Sequence, residues 1–149
     1  MKKLKFVVVA LLISLASQAQ TITEKSLLGE WRVLKIEIEG VLVNLDTGEV
    51  KAVDPDVGAD NLELIQGMMD NGGADEIKEG KLVFKPGLMV DFHDNTGVQT
   101  ASYTLENEGN KQVLTLNVDG PSSLDASFED GLLKLVDGVE GTVMYMAKK

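Results

Sequence analysis

The chain has 149 residues and a formal net charge of −10, with no cysteine and one histidine. The acidic balance argues against a nucleic-acid-binding protein, because a negative surface repels the phosphate backbone. The lack of cysteine excludes disulfides and a lipid attached through cysteine, and together with the single histidine it excludes the usual zinc sites.

The first nineteen residues have the three parts of a secretory signal peptide. Met1–Lys5 is basic, Phe6–Leu15 is almost wholly apolar, and Ala16–Ala19 offers small residues for cleavage. The apolar run is too short for a membrane-spanning helix, which needs about 20 residues. We therefore expect residues 1–19 to be removed and the mature domain, residues 20–149, to be periplasmic or secreted with no membrane span. Loss of three lysines takes the net charge from −10 to −13.

The first predicted strand of the mature domain begins at Gly29-Glu30-Trp31, which contains the single tryptophan of the chain. Trp31 and Val33 lie on one face of this strand, whereas Leu34 and Ile36 lie on the other. A shift of apolar phase within an alternating strand predicts a bulge or sharp bend, which turns a strand around the corner of a barrel.

A hairpin and a helix are predicted before Lys81. Val41–Leu45 and Glu49–Val53 flank a turn and indicate an extra hairpin or an extension of the first strand. Asp60 then precedes Glu63 at the spacing of a capping box, with Asp60 as N-cap. Apolar residues recur at helical spacing as far as Gly72-Gly73, where we expect the helix to end. They are Leu62, Ile65 and Met69.

From Lys81 to the end, seven short runs with apolar residues at every second position alternate with six turns. Glycine and asparagine in these turns supply the positive φ that tight hairpins need. The turns are Pro86-Gly87, Asp94–Gly97, Asn107–Asn110, Asp119–Pro121, Glu129–Gly131 and Asp137-Gly138. With the first strand, this predicts an all-β fold: an eight-stranded antiparallel up-and-down barrel with one short helix after the first strand.

No constellation for catalysis is evident, and we expect the protein not to be an enzyme and to need no cofactor. His93 is the one candidate base, and its strand phase predicts that it faces solvent. No Gly-x-Ser-x-Gly elbow is present. The acidic turn Asp54–Asp60 concentrates oxygen ligands, but it lacks the register of a calcium-binding loop and is more typical of a solvated turn. We therefore predict no metal site.

The predicted barrel interior is the remaining candidate site. Small eight-stranded barrels are either filled by side chains or wide enough for one small ligand, and the alternating pattern is compatible with both. Met68-Met69 would suit an adaptable lid or an ordinary plug of the barrel end. The candidate interior residues, taken from strand alternation, are Val33, Phe84, Val90, Phe92, Tyr103, Leu114, Leu116, Phe128 and Tyr145.

Leu28-Gly29-Glu30-Trp31 at the first of eight strands resembles the bacterial lipocalin-like domains of the calycin group. Gly80–Phe84 and Gly141–Tyr145 are also similar to strands of that family. The resemblance implies that Trp31 packs across the closed end of the barrel as a structural plug, and that Lys148 or Lys149 replaces the arginine near the last strand. The Thr-Asp-Tyr turn of lipocalins is absent, and the predicted helix lies early, where fatty-acid-binding proteins keep their lid.

The resemblance implies binding of a small apolar or amphipathic molecule in the barrel. One alternative is an envelope scaffold with a filled barrel, whose partner would dock on an exposed apolar patch. Another is a hydrolase or inhibitor, which would require His93 or the Asp54–Asp60 turn to lie in a cleft.

Overall fold

The computed structural model describes residues 20–149, so the predicted signal peptide lies outside the described residues. The ten strands are β1 (Gly29–Ile38), β2 (Val41–Asn44), β3 (Val50–Ala52), β4 (Lys81–Lys85), β5 (Met89–Asp94), β6 (Gly97–Glu108), β7 (Lys111–Asn117), β8 (Pro121–Glu129), β9 (Leu132–Val136) and β10 (Val143–Lys148). The helices are α1 (Glu24–Leu27), α2 (Ala59–Met68) and α3 (Ala74–Glu79), and a kinked turn over Met69–Gly73 joins α2 to α3. Within this part of the chain, no helix has the length and apolar character to span a membrane.

Eight of the ten strands form a closed antiparallel barrel, as predicted. β4 to β10 follow one another as a meander, β4 also pairs with β1, and β1 pairs with β10 to complete the ring. All six predicted turns after Lys81 connect neighbouring strands of this meander. Closure gives every barrel strand two neighbours, which removes the exposed edges of an open sheet.

On the side of β1 away from β10, β4 pairs with only the first half of the strand, and β2 pairs with the second half. The first half is Gly29–Arg32, and the second half is Lys35–Ile38. β2 and β3 form the extra hairpin that the sequence predicts, attached to the barrel through β1. The helix consequently does not follow β1 directly, because this hairpin intervenes.

The predicted bulge in β1 is confirmed. Val33 pairs with Met146 and Lys35 pairs with Tyr145, so Leu34 is an extra residue in β1 opposite β10. The apolar phase changes at this point because the bulge rotates the strand by one residue.

The helical segment differs from its prediction at both ends. α2 begins at Ala59 with Gly58 as N-cap, so Asp60 lies inside the first turn and does not cap the helix. The segment also continues beyond Gly72-Gly73, because a kink at Asn71 and Gly72, where Gly72 has φ 104°, leads into α3. Thr23 and Ser26 form a capping box at α1 instead.

The apolar residues form two cores. The main core lies inside the barrel and includes fully buried residues such as Leu114, Leu133 and Leu135. The second core lies between α2 and the β2–β3 hairpin and includes Ile65 and Met69. Helical spacing therefore identified the buried face of α2 correctly, although it misplaced both ends of the segment.

The N-terminal segment closes one end of the barrel around Trp31. The indole Nε1 donates a hydrogen bond to the Leu27 carbonyl at 2.6 Å, and the ring is 2% exposed, 6.1 Å from the ring of Phe128. Lys148 Nζ lies 5.4 Å from the indole centroid and donates to the Ser26 carbonyl at 3.2 Å. The tryptophan thus joins α1 to the first and last strands of the barrel.

Glu30 connects three basic residues on the outside of β1. Its carboxylate lies 2.8 Å from Arg32 Nε, 3.0 Å from Lys81 Nζ and 3.8 Å from Lys149 Nζ. The hydrogen bonds from Arg32 and then from Lys81 lower the pKa of Glu30 from its ordinary value of 4.5 to about 2. The charged form is therefore favoured in the folded state.

We expect Trp31→Ala to lower the free energy of unfolding by about 3 kcal/mol or more, the usual cost of truncating a buried aromatic residue. Urea denaturation would measure the change. Leu64→Ala on α2 is the control, because Leu64 is 62% exposed and its truncation leaves no cavity. Equal stability of the Trp31 variant and the parent protein would contradict the packing role of the indole.

Glu30→Gln should lower the melting temperature at neutral pH, and this difference from the parent should shrink as the pH falls from 4.5 to about 2. A carboxylate whose pKa is lowered in the folded state stabilises the fold at pH values above its unfolded-state pKa. This stabilisation is lost as the pH falls through the folded-state pKa and the carboxylate becomes protonated. Scanning calorimetry at a series of pH values would measure it. A difference that stays constant over this range, or an equal effect of Glu106→Gln at an exposed site on β6, would contradict the assignment.

Candidate functional site

A cavity of about 330 Å³ opens at the barrel end opposite the N-terminal segment. It lies where β4 begins and β5 ends, beneath α3. Nine apolar side chains from seven strands of the barrel and from α3 line it. They are Val33, Ile77, Leu82, Phe92, Leu116, Leu124, Leu135, Met144 and Met146. The interior is thus packed at one end and accessible at the other, and the accessible end has the apolar lining typical of a small-molecule site.

The polar groups of the cavity lie together on one side of its rim. Lys81, His93 and Asp94 line it at the start of β4 and the end of β5. Lys81 Nζ is bound by Glu30, and the Asp94 carboxylate accepts hydrogen bonds from Thr96 Oγ1 and from the Thr96 N–H, which lower the pKa of Asp94. Because the Lys81 ammonium group is held by Glu30 on the outside of β1, a ligand with one polar end would meet His93 and Asp94 at the rim, with its apolar part in the barrel.

His93 is half-buried at this rim, whereas its strand phase predicts a solvent-facing side chain. β5 ends beside the turn at Gly80, where α3 leads into β4, and this turn lies close to the backbone carbonyl of His93. The cavity lining contains no serine, threonine or cysteine. His93 therefore lies beside Lys81 and Asp94, and no hydroxyl or thiol group belongs to the same lining.

Ile77 of α3 and Gly80, which follows the helix, cover part of the cavity mouth. None of the residues of α3 is fully buried, and only Ala74 and Ile77 pack against the second core. The predicted lid residues are placed differently. Met69 is buried in the second core and Met68 is 56% exposed, and neither lines the cavity.

The structure divides the nine candidate interior residues into three groups. Val33, Phe92 and Leu116 line the open cavity. A second group belongs to the main core but lies outside the cavity lining, in the packed part of the barrel. It consists of Phe84, Val90, Tyr103, Leu114 and Phe128. Strand alternation distinguishes inside from outside, but it does not show which interior residues line an opening.

Tyr145 is a correction to the predicted interior. Met144 and Met146 on either side of it belong to or pack against the main core, so Tyr145 lies on the outer face of β10. Lys134 Nζ lies 5.4 Å from its ring centroid. Alternation within Val143–Lys148 favours either phase, because Val143 and Tyr145 are as apolar as Met144 and Met146. Met144 and Met146 line the cavity instead, and the sequence pattern did not predict them as interior residues.

Three further cavity residues that the sequence analysis did not predict differ in whether the sequence pattern could have identified them. Leu124 and Leu135 lie in clear alternation within β8 and β9 and were available from the pattern. Ile77 follows Gly72-Gly73, where the helix was predicted to end, so no helical face was assigned to it.

The hydroxyl group of Tyr103 is a buried polar atom in the packed part of the barrel. Tyr103 is 1% exposed, and its ring packs edge-on against Phe84 at 5.1 Å between centroids. The hydroxyl has no hydrogen-bond partner among residues 20–149. Burial and then the nearby Glu24 carboxylate raise the pKa of this hydroxyl, so it stays protonated.

The acidic turn Asp54–Asp60 has local hydrogen bonding. Asp54 Oδ1 accepts from the Asp56 N–H at 2.9 Å, as in an ordinary Asx turn. Over the described part of the chain, no three His, Cys, Asp or Glu side chains converge as a metal site would require.

One solved structure gives a comparison of folds. It is the crystal structure of a DUF4847 family protein from Bacteroides vulgatus, which matches with a TM-score of 0.50 and 13% sequence identity over 83% of this chain and 94% of that chain. At this identity the match concerns the fold alone. No protein-family model matches the sequence, and no curated protein matches it at a significant level.

We expect Tyr103→Phe to be at least as stable as the parent, because it removes a buried hydroxyl that no group among residues 20–149 satisfies and keeps the ring packing. Thermal unfolding would measure this. Tyr103→Leu is the comparison, and it should be less stable because the edge-on contact with Phe84 is lost. A clear loss of stability in the phenylalanine variant would show that the hydroxyl is bound in the folded protein.

Proposed function

We propose that this protein is a lipocalin-like barrel of the periplasm or the medium, without enzymatic activity, that binds a small apolar or amphipathic molecule in the open cavity. The observation that carries the proposal is a cavity of about 330 Å³ with nine apolar lining residues inside a closed eight-stranded barrel. This volume is near the lower end of the range for small-molecule sites, which favours a ligand smaller than most drugs.

The closed end of the barrel supports the lipocalin assignment. The sequence resemblance gives Trp31 the role of a plug and Lys148 or Lys149 the place of an arginine near the last strand. In the fold, Lys148 lies over the indole and binds the N-terminal segment through Ser26. Because Trp31 is held between the N-terminal segment and β10 at one end of the barrel, the opposite end remains available for a ligand.

The arrangement of polarity favours an amphipathic ligand with one polar end. Lys81, His93 and Asp94 lie on one side of the rim, and the walls beyond them are apolar. Burial of an apolar chain there would be favourable by about 25 cal/mol per Å² of apolar surface removed from water. The polar end would remain at the rim, where water is accessible.

Delipidated mature protein should bind the neutral fluorescent probe N-phenyl-1-naphthylamine with saturation, and fatty acids should displace it. Met144→Trp places a larger side chain in the cavity and should raise the Kd of the probe about tenfold, equivalent to about 1.4 kcal/mol. Fluorescence titration would measure both effects.

Leu64→Trp is the matched control, because Leu64 is exposed on α2 outside the cavity lining, so probe affinity should not change. No saturable binding of the probe, a fatty acid or a retinoid by the parent would contradict the proposal. Native mass spectrometry of protein purified from its own source would show a retained ligand directly.

An envelope scaffold is the second candidate, favoured by exposed apolar side chains on α2. Leu64 and Met68 lie one turn apart and are 62% and 56% exposed. If the protein is a scaffold, Leu64→Asp should abolish capture of a partner while the parent binds no apolar probe. Probe binding that survives this substitution would favour the ligand-binding function.

A further inference from the structure

A second concavity of about 450 Å³ lies on the outside of the barrel, where β1 changes partner. β1 leaves β4 after Arg32 and joins β2 at Lys35, and the bulge at Leu34 falls between these two pairings. The Leu45 N–H donates to the Leu34 carbonyl at 2.9 Å and so fixes one wall of the concavity. We call this concavity the outer groove.

The outer groove combines an apolar floor with a concentration of positive charge. Leu34, Leu45 and Ala147 are among its apolar residues. Four of the eleven cationic residues in the expected mature chain also line it, against one acid, Asp46. These four are Arg32, Lys78, Lys148 and Lys149, and Arg32 is the single arginine of the sequence. The local charge of the groove is therefore opposite in sign to the net charge of −13 of the mature domain.

Three of the four cations are available to a ligand. Arg32 uses Nε for Glu30, and its terminal guanidinium nitrogens have no partner within residues 20–149. Lys78 forms no ion pair in the same part of the chain, and Lys149 Nζ is 3.8 Å from Glu30, beyond hydrogen-bond distance. Lys148 is different, because its ammonium group is engaged by the Ser26 carbonyl and the indole of Trp31.

We propose that the outer groove is a binding site for a small molecule that carries a carboxylate or a phosphate on a short apolar group. The guanidinium of Arg32 presents parallel N–H groups that match two oxygens of such an anion. Lys78 and Lys149 add charge beside it. The apolar group lies on Leu34 and Leu45, and the volume is within the range of small-molecule sites.

This site is separate from the cavity of the proposed function. It lies on the outer face of β1, and the two lining sets share one residue, Val33. Neither proposal requires the other.

Titration of ¹⁵N-labelled mature protein with hexyl phosphate and with hexanoate tests the outer groove by NMR. We expect saturable shifts of the amides of Arg32, Leu34, Leu45 and Lys149 with at least one of the two compounds, and the tighter one identifies the anion. Inorganic phosphate alone should bind about tenfold more weakly than hexyl phosphate if the apolar floor contributes about 1.4 kcal/mol. Shifts that do not saturate, or that spread over lysines elsewhere, would overturn the proposal.

Three variants separate binding from charge and folding. Arg32→Gln should lose the saturable shifts, whereas Lys134→Gln, which removes an equally ion-paired lysine from β9, should keep them. Glu30→Gln breaks the same ion pair as Arg32→Gln but leaves the guanidinium in place, so it should bind at least as tightly as the parent. Equal loss in the Glu30 and Arg32 variants would show that the ion pair, and not the guanidinium, is required, and would overturn the site.

Discussion

The packing of Trp31 is the constraint on which the rest of the barrel depends. One side chain contacts α1 through the Leu27 carbonyl, β8 through Phe128 and β10 through Lys148. α1 and β10 come from the beginning and the end of the described chain, so the indole fixes where the N-terminal segment crosses the barrel. With no disulfide available, this fixation rests on packing and hydrogen bonds alone. One end is thereby filled, and the opening is left at the other.

The strand β1 relates the two candidate sites. Its inner face contributes Val33 to the apolar cavity, and its outer face contributes Arg32 to the outer groove. Both features arise because β1 extends past β4 and needs a second partner, which the β2–β3 hairpin supplies. The hairpin in turn needs its own apolar cover, and α2 provides it through Ile65 and Met69. The second core is therefore a consequence of the length of one strand.

The barrel and the bulge could be predicted from the sequence because both depend on local pattern. Turns rich in glycine and asparagine mark the hairpins, and the step from Val33 to Leu34 marks the change of strand phase. The helix ends were less predictable, because Gly72 produces a kink by adopting φ 104° and the chain continues as α3. Tyr145 was misplaced because adjacent positions of β10 are equally apolar. The outer groove was missed because its residues are brought together by tertiary structure and have no common spacing.

Pairing of β1 with β10 also has a consequence for the order in which the chain folds. Lys148 binds Ser26 across a separation of 122 residues, so closing the ring requires nearly the whole mature chain. Contacts this distant in sequence carry a large loop-closure entropy and form slowly, whereas the β4 to β10 hairpins are local. We expect the meander to form first, with β4 and β10 as temporary edges, and β1 to join last. In pulse-labelled hydrogen exchange, late protection of the β1 amides would be the signature of this order, and early protection would contradict it.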